Sequence, residues 1–292
     1  MKGARDPGPV FIVGAGKAGT SLACALRDAG FPVLLVLRHA PARNLPVPFR
    51  HLDSLAFPGT RPTVVVLAVP DRCLPEVADR IVLPAEPGSR LVLGHLSGVL
   101  PSSGLAPGFA DRVAGRFSAH PLFAFPPPDP PLPIPGGVPF LVEGDEAGIA
   151  IAQALVLAIE GMPIPIDPAR KPLAHGAAVL AANLPAELVF CAADVFRDLG
   201  VPDPQRVAAR LFRSLSDNLE NQPSPSALTG PLARGDAGTV KANLAALRQW
   251  AGRSRDIPSL YRRLSSMLAA RMRRAGLPGP TSAWKRLREV LR

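Results

Sequence analysis

Continuous apolar runs alternate with helix-spaced apolar positions through the first half of the chain. Val10 to Val13, Val33 to Leu37 and Thr63 to Val69 are unbroken runs, and Ala18 to Ala29 between the first two has a helical pattern. Runs without polar alternation suit parallel strands covered on both faces. Arg90 to Gly94, Arg116 to Ala119, Pro139 to Glu143 and Pro163 to Ile166 are further strand candidates. Helices are expected at Asp71 to Ile81, with Asp71 as a candidate N-cap, and at Glu146 to Ile159. The alternation predicts an α/β fold, a Rossmann-type doubly wound parallel sheet, over residues 1–167.

Two proline-rich segments interrupt the pattern. Five prolines between His39 and Pro62 predict that the helix after the second strand is short or missing. Eight more from Pro126 to Pro139 enforce an extended loop.

Beyond Asp167 the strand signals stop. Helical periodicity covers Lys171 to Leu199, Gln205 to Asn221, Ala237 to Gly252, Ser259 to Ala275 and Ser282 to Leu291, which predicts an all-helical domain over 168–292. The first of these is apolar nearly all round, broken by His175, Asn183, Pro185 and Glu187. A helix apolar on every face needs cover on every face, so burial against the first domain and a second subunit is expected, hence a homodimer. The polar residues and the proline argue against a membrane span, and no membrane partner is expected.

Composition narrows the class. The chain has 292 residues, 47% of them hydrophobic, which excludes a disordered chain. MKGARDPGP lacks the apolar core of a signal peptide, so a soluble, cytoplasmic protein is expected. Cys24, Cys73 and Cys191 lie far apart with no metal-ligand spacing. This predicts reduced, buried thiols and no metal site.

The net charge of +10 is concentrated at one end. Arg253 to Arg292 holds eleven basic against two acidic side chains, a net +9. Such helices could grip nucleic acid or an anionic partner, but aromatic interleaving is sparse and no nucleic-acid module is legible, so solvated helix faces are the favoured reading.

The sharpest local motif is VFIVGAGKAGTSLA: a strand, then Gly14-x-Gly16-x-x-Gly19, then a helix. In a dinucleotide site Gly14 makes the tight turn, Gly16 lets backbone approach a pyrophosphate, and Gly19 lets the helix pack close. Arg38 ends the second strand, nineteen positions after Gly19, where an NAD site normally has an acidic residue for the ribose hydroxyls. A basic residue there, with His39 or Arg43 assisting, suits a 2′-phosphate and points to NADP over NAD.

The ensemble GAGKAGTSLA, VVLAVPD, HLSG, HPLFAF, AHGAAVLAAN and ALTGPLARGDAGTV resembles the bacterial proteins that pair a Rossmann-like domain with domain of unknown function 2520. These are similar, more distantly, to deazaflavin-dependent NADP reductases, pyrroline-carboxylate and ketopantoate reductases and the 6-phosphogluconate dehydrogenase superfamily. The resemblance implies a helical dimerisation domain and a nicotinamide cofactor, with Val69 and Pro70 of VVLAVPD among the cofactor contacts. In the superfamily's β-hydroxyacid dehydrogenases a lysine precedes an asparagine by four residues. Matching Asn183 to that asparagine puts Val179 at the lysine's place, so the usual proton donor is absent there, and Lys171, twelve residues before Asn183, stands roughly 18 Å from it along a straight helix. Ala174 stands where an aromatic residue is common, and Asn243 where a histidine is.

Hydride transfer to a carbonyl or imine needs a proton donor and a substrate anchor. His175, His120 and Asn183 are the candidate catalytic residues; His95 is read as structural. Ser97 and Arg234 are the substrate-binding candidates, the latter because a guanidinium on a Gly/Pro-rich loop is a carboxylate or phosphate clamp. Asp236 is read as the N-cap of the helix from Ala237. An NADP-dependent reductase of a small ketone or imine follows, with a carboxylated substrate among the options; a non-catalytic nucleotide-binding or scaffold protein that kept the fold is the alternative.

Overall fold

The β-branched runs form strands where expected and pair into one sheet, because residues without a polar face are stable only between two covered surfaces. The computed structural model describes residues 8–41, 44–54, 63–82, 90–127, 129–222, 227–250, 256–275 and 281–291. Two compact units divide the chain, Met1–Leu180 and Ala181–Arg292. The sequence boundary at 167/168 thus falls thirteen residues before this division.

In the first unit β1 (Val10–Val13), α1 (Lys17–Asp28), β2 (Val33–Leu37), β3 (Phe49–His51), β4 (Thr63–Leu67), α2 (Leu74–Val82), β5 (Leu91–His95), β6 (Gly115–Pro121), β7 (Pro139–Gly144), α3 (Glu146–Ala158) and β8 (Met162–Pro165) follow in order. The sheet order is β3-β2-β1-β4-β5-β6-β7-β8. Pairing is parallel throughout except between β6 and β7. The chain order reverses across β1, which is where such sheets hold their ligands. Fully buried Ile12, Leu35, Val65 and Leu93 fill the layers on the two faces of the sheet.

The structure adds detail to the expected fold at three points. The sheet is not wholly parallel: β7 returns antiparallel to β6, joined to it through the proline-rich segment rather than through a crossover helix. As the prolines predict, no α-helix lies between β2 and β4 among the described residues; a short strand, β3, and one 3₁₀ turn at Leu52–Ser54 stand there instead. Asp71 does not cap α2. The N-cap position of the preceding 3₁₀ turn is Pro70, and the Asp71 carboxylate accepts the Ser97 hydroxyl at 2.9 Å instead.

The apolar helix predicted over Lys171 to Leu199 is three segments: α4 (Lys171–Ala178), a π-helical turn at Val179–Asn183, and α5 (Leu184–Asp198). Pro185 explains the break, since it brings no N–H and its ring would clash with the carbonyl four residues earlier, which a wider turn relieves. The stretch Pro168–Asp198 is as long and apolar as a membrane-crossing helix. His175, Asn183, Glu187 and Pro185 interrupt it.

In the second unit α5 is followed by α6 (Pro204–Asn221), α7 (Ala237–Gln249), α8 (Ile257–Arg274) and α9 (Thr281–Val290). Asp236 caps α7 as expected, accepting Thr239 N–H at 3.0 Å. Leu184 and Leu188 on α5 and Leu211, Leu215 and Leu219 on α6 recur at four-residue spacing and are exposed. Of the cysteines, none is in a disulfide; Cys24 is buried, whereas Cys73 and Cys191 are only half-buried.

Candidate active site

β1 ends in a loop whose glycines serve different ends. Gly14 has φ +111°, and a Cβ there would lie 2.5 Å from the Ala68 carbonyl oxygen. A Cβ on Gly19 would lie 2.2 Å from the Gly14 carbonyl oxygen. Both are demanded by backbone packing. A Cβ on Gly16 meets nothing within 4 Å. The N-terminus of α1 therefore lies beside an open approach, which fits a dinucleotide pyrophosphate. Val69, after β4, lies against this loop, with Cγ1 3.3 Å from the place of a Gly14 Cβ; Pro70 beside it is exposed. Arg38 is exposed at the end of β2, and its guanidinium stands 3.5 Å from Glu76 Oε1. So loose an exposed pair contributes little and does not occupy the guanidinium. Arg43 lies outside the described residues.

The structure brings His120 and His175 together. His120 is on β6, beside the segment that follows β5; His175 is on α4, and their ring centroids are 5.4 Å apart at 71°. A Cβ on Gly98 would lie 2.6 Å from His175 Nδ1 and 2.8 Å from His120 Nε2, so both nitrogens converge on a point only glycine leaves open. His120 Nδ1 bonds the Leu96 carbonyl at 2.9 Å. A carbonyl only accepts, so Nδ1 carries the proton and Nε2 of the neutral ring is an acceptor. His175 Nδ1 is buried without a hydrogen-bond partner among the described residues. Burial depresses the His120 pKa, opposed by the Leu96 bond and reinforced by His175 and Lys171. Gly98→Ala should therefore force the rings apart while the chain stays folded. The His120–His175 ring contact seen by NMR should be lost in that variant, with the melting temperature within a few degrees.

One helical turn before His175 on α4 stands a lysine whose distance from Asn183 along the helix says nothing of its partners across the fold. Lys171 is 1% exposed, its ammonium 3.0 Å from Glu143 Oε1 and bonded to the Ser118 hydroxyl. Glu143, itself buried on β7, also accepts Ser102 N–H at 2.9 Å and the Ser102 hydroxyl at 2.8 Å. The signal was available: a carboxylate ending the apolar strand PFLVEG is buried only if a cation meets it. Desolvation lowers the Lys171 pKa, opposed by Glu143.

The remaining candidates have other duties or belong to the second unit. The Ser97 hydroxyl donates to Asp71 and accepts Val99 N–H at 3.1 Å and Leu100 N–H at 3.0 Å, so its capacity is used within the turn rather than offered to a substrate. His95 is fully buried and its Nδ1 accepts Ser97 N–H at 3.0 Å, in keeping with a structural role. Asn183, in the π-helical turn, is exposed and makes no capping bond; Arg234 is exposed on the turn before α7. Both belong to the second unit. Asn243, at the place of the family's histidine, donates to the Tyr261 hydroxyl at 3.3 Å.

Burial lowers the His95 pKa to about 3, with Lys171 adding to the effect. The folded state thus holds His95 neutral while the unfolded chain protonates it below about pH 6.5. Stability is present above the unfolded value and falls as pH drops from about 6.5 toward 3. Urea unfolding across that window should show the decline. His95→Asn, which keeps an acceptor for Ser97 N–H and cannot titrate, should make it shallower, with His120, whose pKa is also depressed, accounting for part of what remains.

Residues 138–268 match the family described as Domain of unknown function (DUF2520). No curated protein sequence matches the chain. Among solved structures, a Bacteroides fragilis protein provisionally named an NADP oxidoreductase superposes with TM-score 0.71 at 19% identity, covering 91% of this chain and 99% of that one. A Thermotoga maritima protein superposes with TM-score 0.68 at 26% identity and the same coverage. Plasmodium falciparum pyrroline carboxylate reductase, solved with NADP bound, gives 0.57 at 10% identity over 97% and 99%. The chain is thus similar to the Rossmann-like proteins carrying this domain, as its motifs imply.

Proposed function

We propose that the chain is a nicotinamide-dinucleotide-dependent oxidoreductase, with NADP preferred, that interconverts a small carbonyl or imine and its reduced form. The observation that carries this reading is the convergence of His120 Nε2 and His175 Nδ1 on Gly98, next to the glycine loop's end of the sheet. The bound nicotinamide would supply or accept the hydride. Gly14, Gly16, Gly19, Val69 and Pro70 would hold the dinucleotide, and Arg38 its 2′-phosphate. His120, pinned through Nδ1, offers Nε2 to the substrate oxygen or nitrogen. In reduction the protonated ring gives up its Nε2 proton; in oxidation the neutral ring takes one. His175 stands beside it as the second polar contact. Arg234 is the proposed anchor for a substrate carboxylate and Asn183 a further polar contact; Arg234→Met should raise KM with little change in kcat. Arg38→Asp should weaken NADPH about 10- to 100-fold by titration and leave NADH nearly unaffected; an unmodified protein that prefers NADH would remove the NADP reading. NADPH oxidation with a panel of keto acids and imines tests the activity.

A second reading, a nucleotide-binding protein without turnover, is favoured by one observation, Val179 at the position of the superfamily's lysine.

In either reading we propose a homodimer in which a second copy covers the exposed leucine faces of α5 and α6. Stripes of that length rarely stay in water. Sedimentation should show a dimer at micromolar concentration, and Leu215→Asp should dissociate it.

A further inference from the structure

We propose that Lys171 is a positioning residue for the histidine pair: its ammonium, seated on Glu143 and Ser118, holds α4 in the register that sets His175 opposite His120 across Gly98. Lys171 and His175 are four residues apart on one helix, so they share a face one turn from each other. Whatever fixes the first against the sheet fixes the second. The ammonium reaches two strands, β7 through Glu143 and β6 through Ser118. Ser118 is two residues before His120, on the same side of β6, and its hydroxyl donates to the Ser97 carbonyl at 3.2 Å, immediately before Gly98. Glu143 in turn holds Ser102, at the far end of the same loop. One charge therefore ties together the helix bearing His175, the strand bearing His120 and the loop bearing Gly98.

A buried ion pair is a poor source of stability, since apolar residues of equal volume often do as well. Its distinguishing contribution is direction. Leucine side chains would let a short helix slide along the sheet, whereas an ammonium bonded to a carboxylate and a hydroxyl allows one seat. The groups that face His120 are His175 and Lys171 from α4, Asp71 from the turn after β4, and His95 from β5. Desolvation first, and then the positive charge of Lys171 among them, disfavours protonation of His120.

The inference extends the proposed function, but its test needs neither substrate nor cofactor, so its failure and the failure of that reading are separable. The probe is histidine-ring NMR on the full chain. Lys171→Met alone would strand the Glu143 charge, so the variant is Lys171→Met with Glu143→Gln, which is neutral and keeps partners for Ser102. It is expected to fold, to lose the contact between the His120 and His175 rings, and to move the His120 titration upward toward the ordinary histidine range. A folded double variant with that contact intact and the titration unchanged would overturn the proposal. If the variant does not fold, the unmodified protein serves. Raising pH until the Lys171 side-chain carbon resonance titrates should move both histidine rings with the same midpoint, and rings silent to that titration would equally overturn it.

Discussion

Gly16→Val should leave the protein folded and weaken dinucleotide binding at least 100-fold, or about 3 kcal/mol. The argument is the contrast among three glycines of one loop. A side chain on Gly14 or Gly19 would drive into backbone carbonyl oxygens at 2.5 and 2.2 Å, so those variants damage the fold and report on nothing else. A Cβ on Gly16 meets nothing within 4 Å outside its own chain neighbours, so the loss caused by a side chain there belongs to what occupies the open space beside it. The pyrophosphate approaches there, and two valine methyls would hold it away from the N–H groups of α1. Calorimetric titration with NADPH checks the affinity, and circular dichroism checks the fold. Affinity like that of the unmodified protein in a folded Gly16→Val variant would remove the cofactor site.

The second large effect is expected at His120. His120→Asn keeps a donor for the Leu96 carbonyl and removes Nε2, so turnover should fall about 10²- to 10⁴-fold, the usual worth of a positioned acid or base. Affinity for NADPH should stay within about twofold, because the loop after β1 is untouched. The pH dependence follows from the depressed His120 pKa. Reduction needs the protonated ring and should speed up as pH falls below the ordinary histidine range. Oxidation uses the neutral ring and should stay level until pH falls through the depressed His120 pKa, then decline. Equal pH profiles in the two directions would assign the proton transfer to another group.

The parallel strands were legible because they are buried on both faces and so have no polar alternation; Val10 to Val13 and Val33 to Leu37 are observed to the residue. The direction of β7 was not legible. A strand's composition carries no sense of direction, and a proline-rich connection can return the chain either way. β3 escaped notice because three residues, FRH, between prolines are too short for any periodicity. At the site, the histidines were legible as titrating groups beside strand ends. Their pairing depends on Gly98, whose role is the absence of a side chain where two remote segments meet, and which no local pattern marks. Lys171 was set aside because it was measured along the helix to Asn183, whereas its partners, Glu143 and Ser118, lie across the fold. Glu143, ending an otherwise apolar strand, was the residue that called for a buried cation.

The most direct measurement is transfer of deuteride from C4-deuterated NADPH to a panel of keto acids and imines. The account predicts that the cofactor is oxidised and that deuterium appears on the former carbonyl or imine carbon of at least one product, with the transfer lost in His120→Asn. Stoichiometric NADPH binding with no deuterium transferred to any member of the panel would contradict it, and would leave a nucleotide-binding protein that has kept the fold without the reaction.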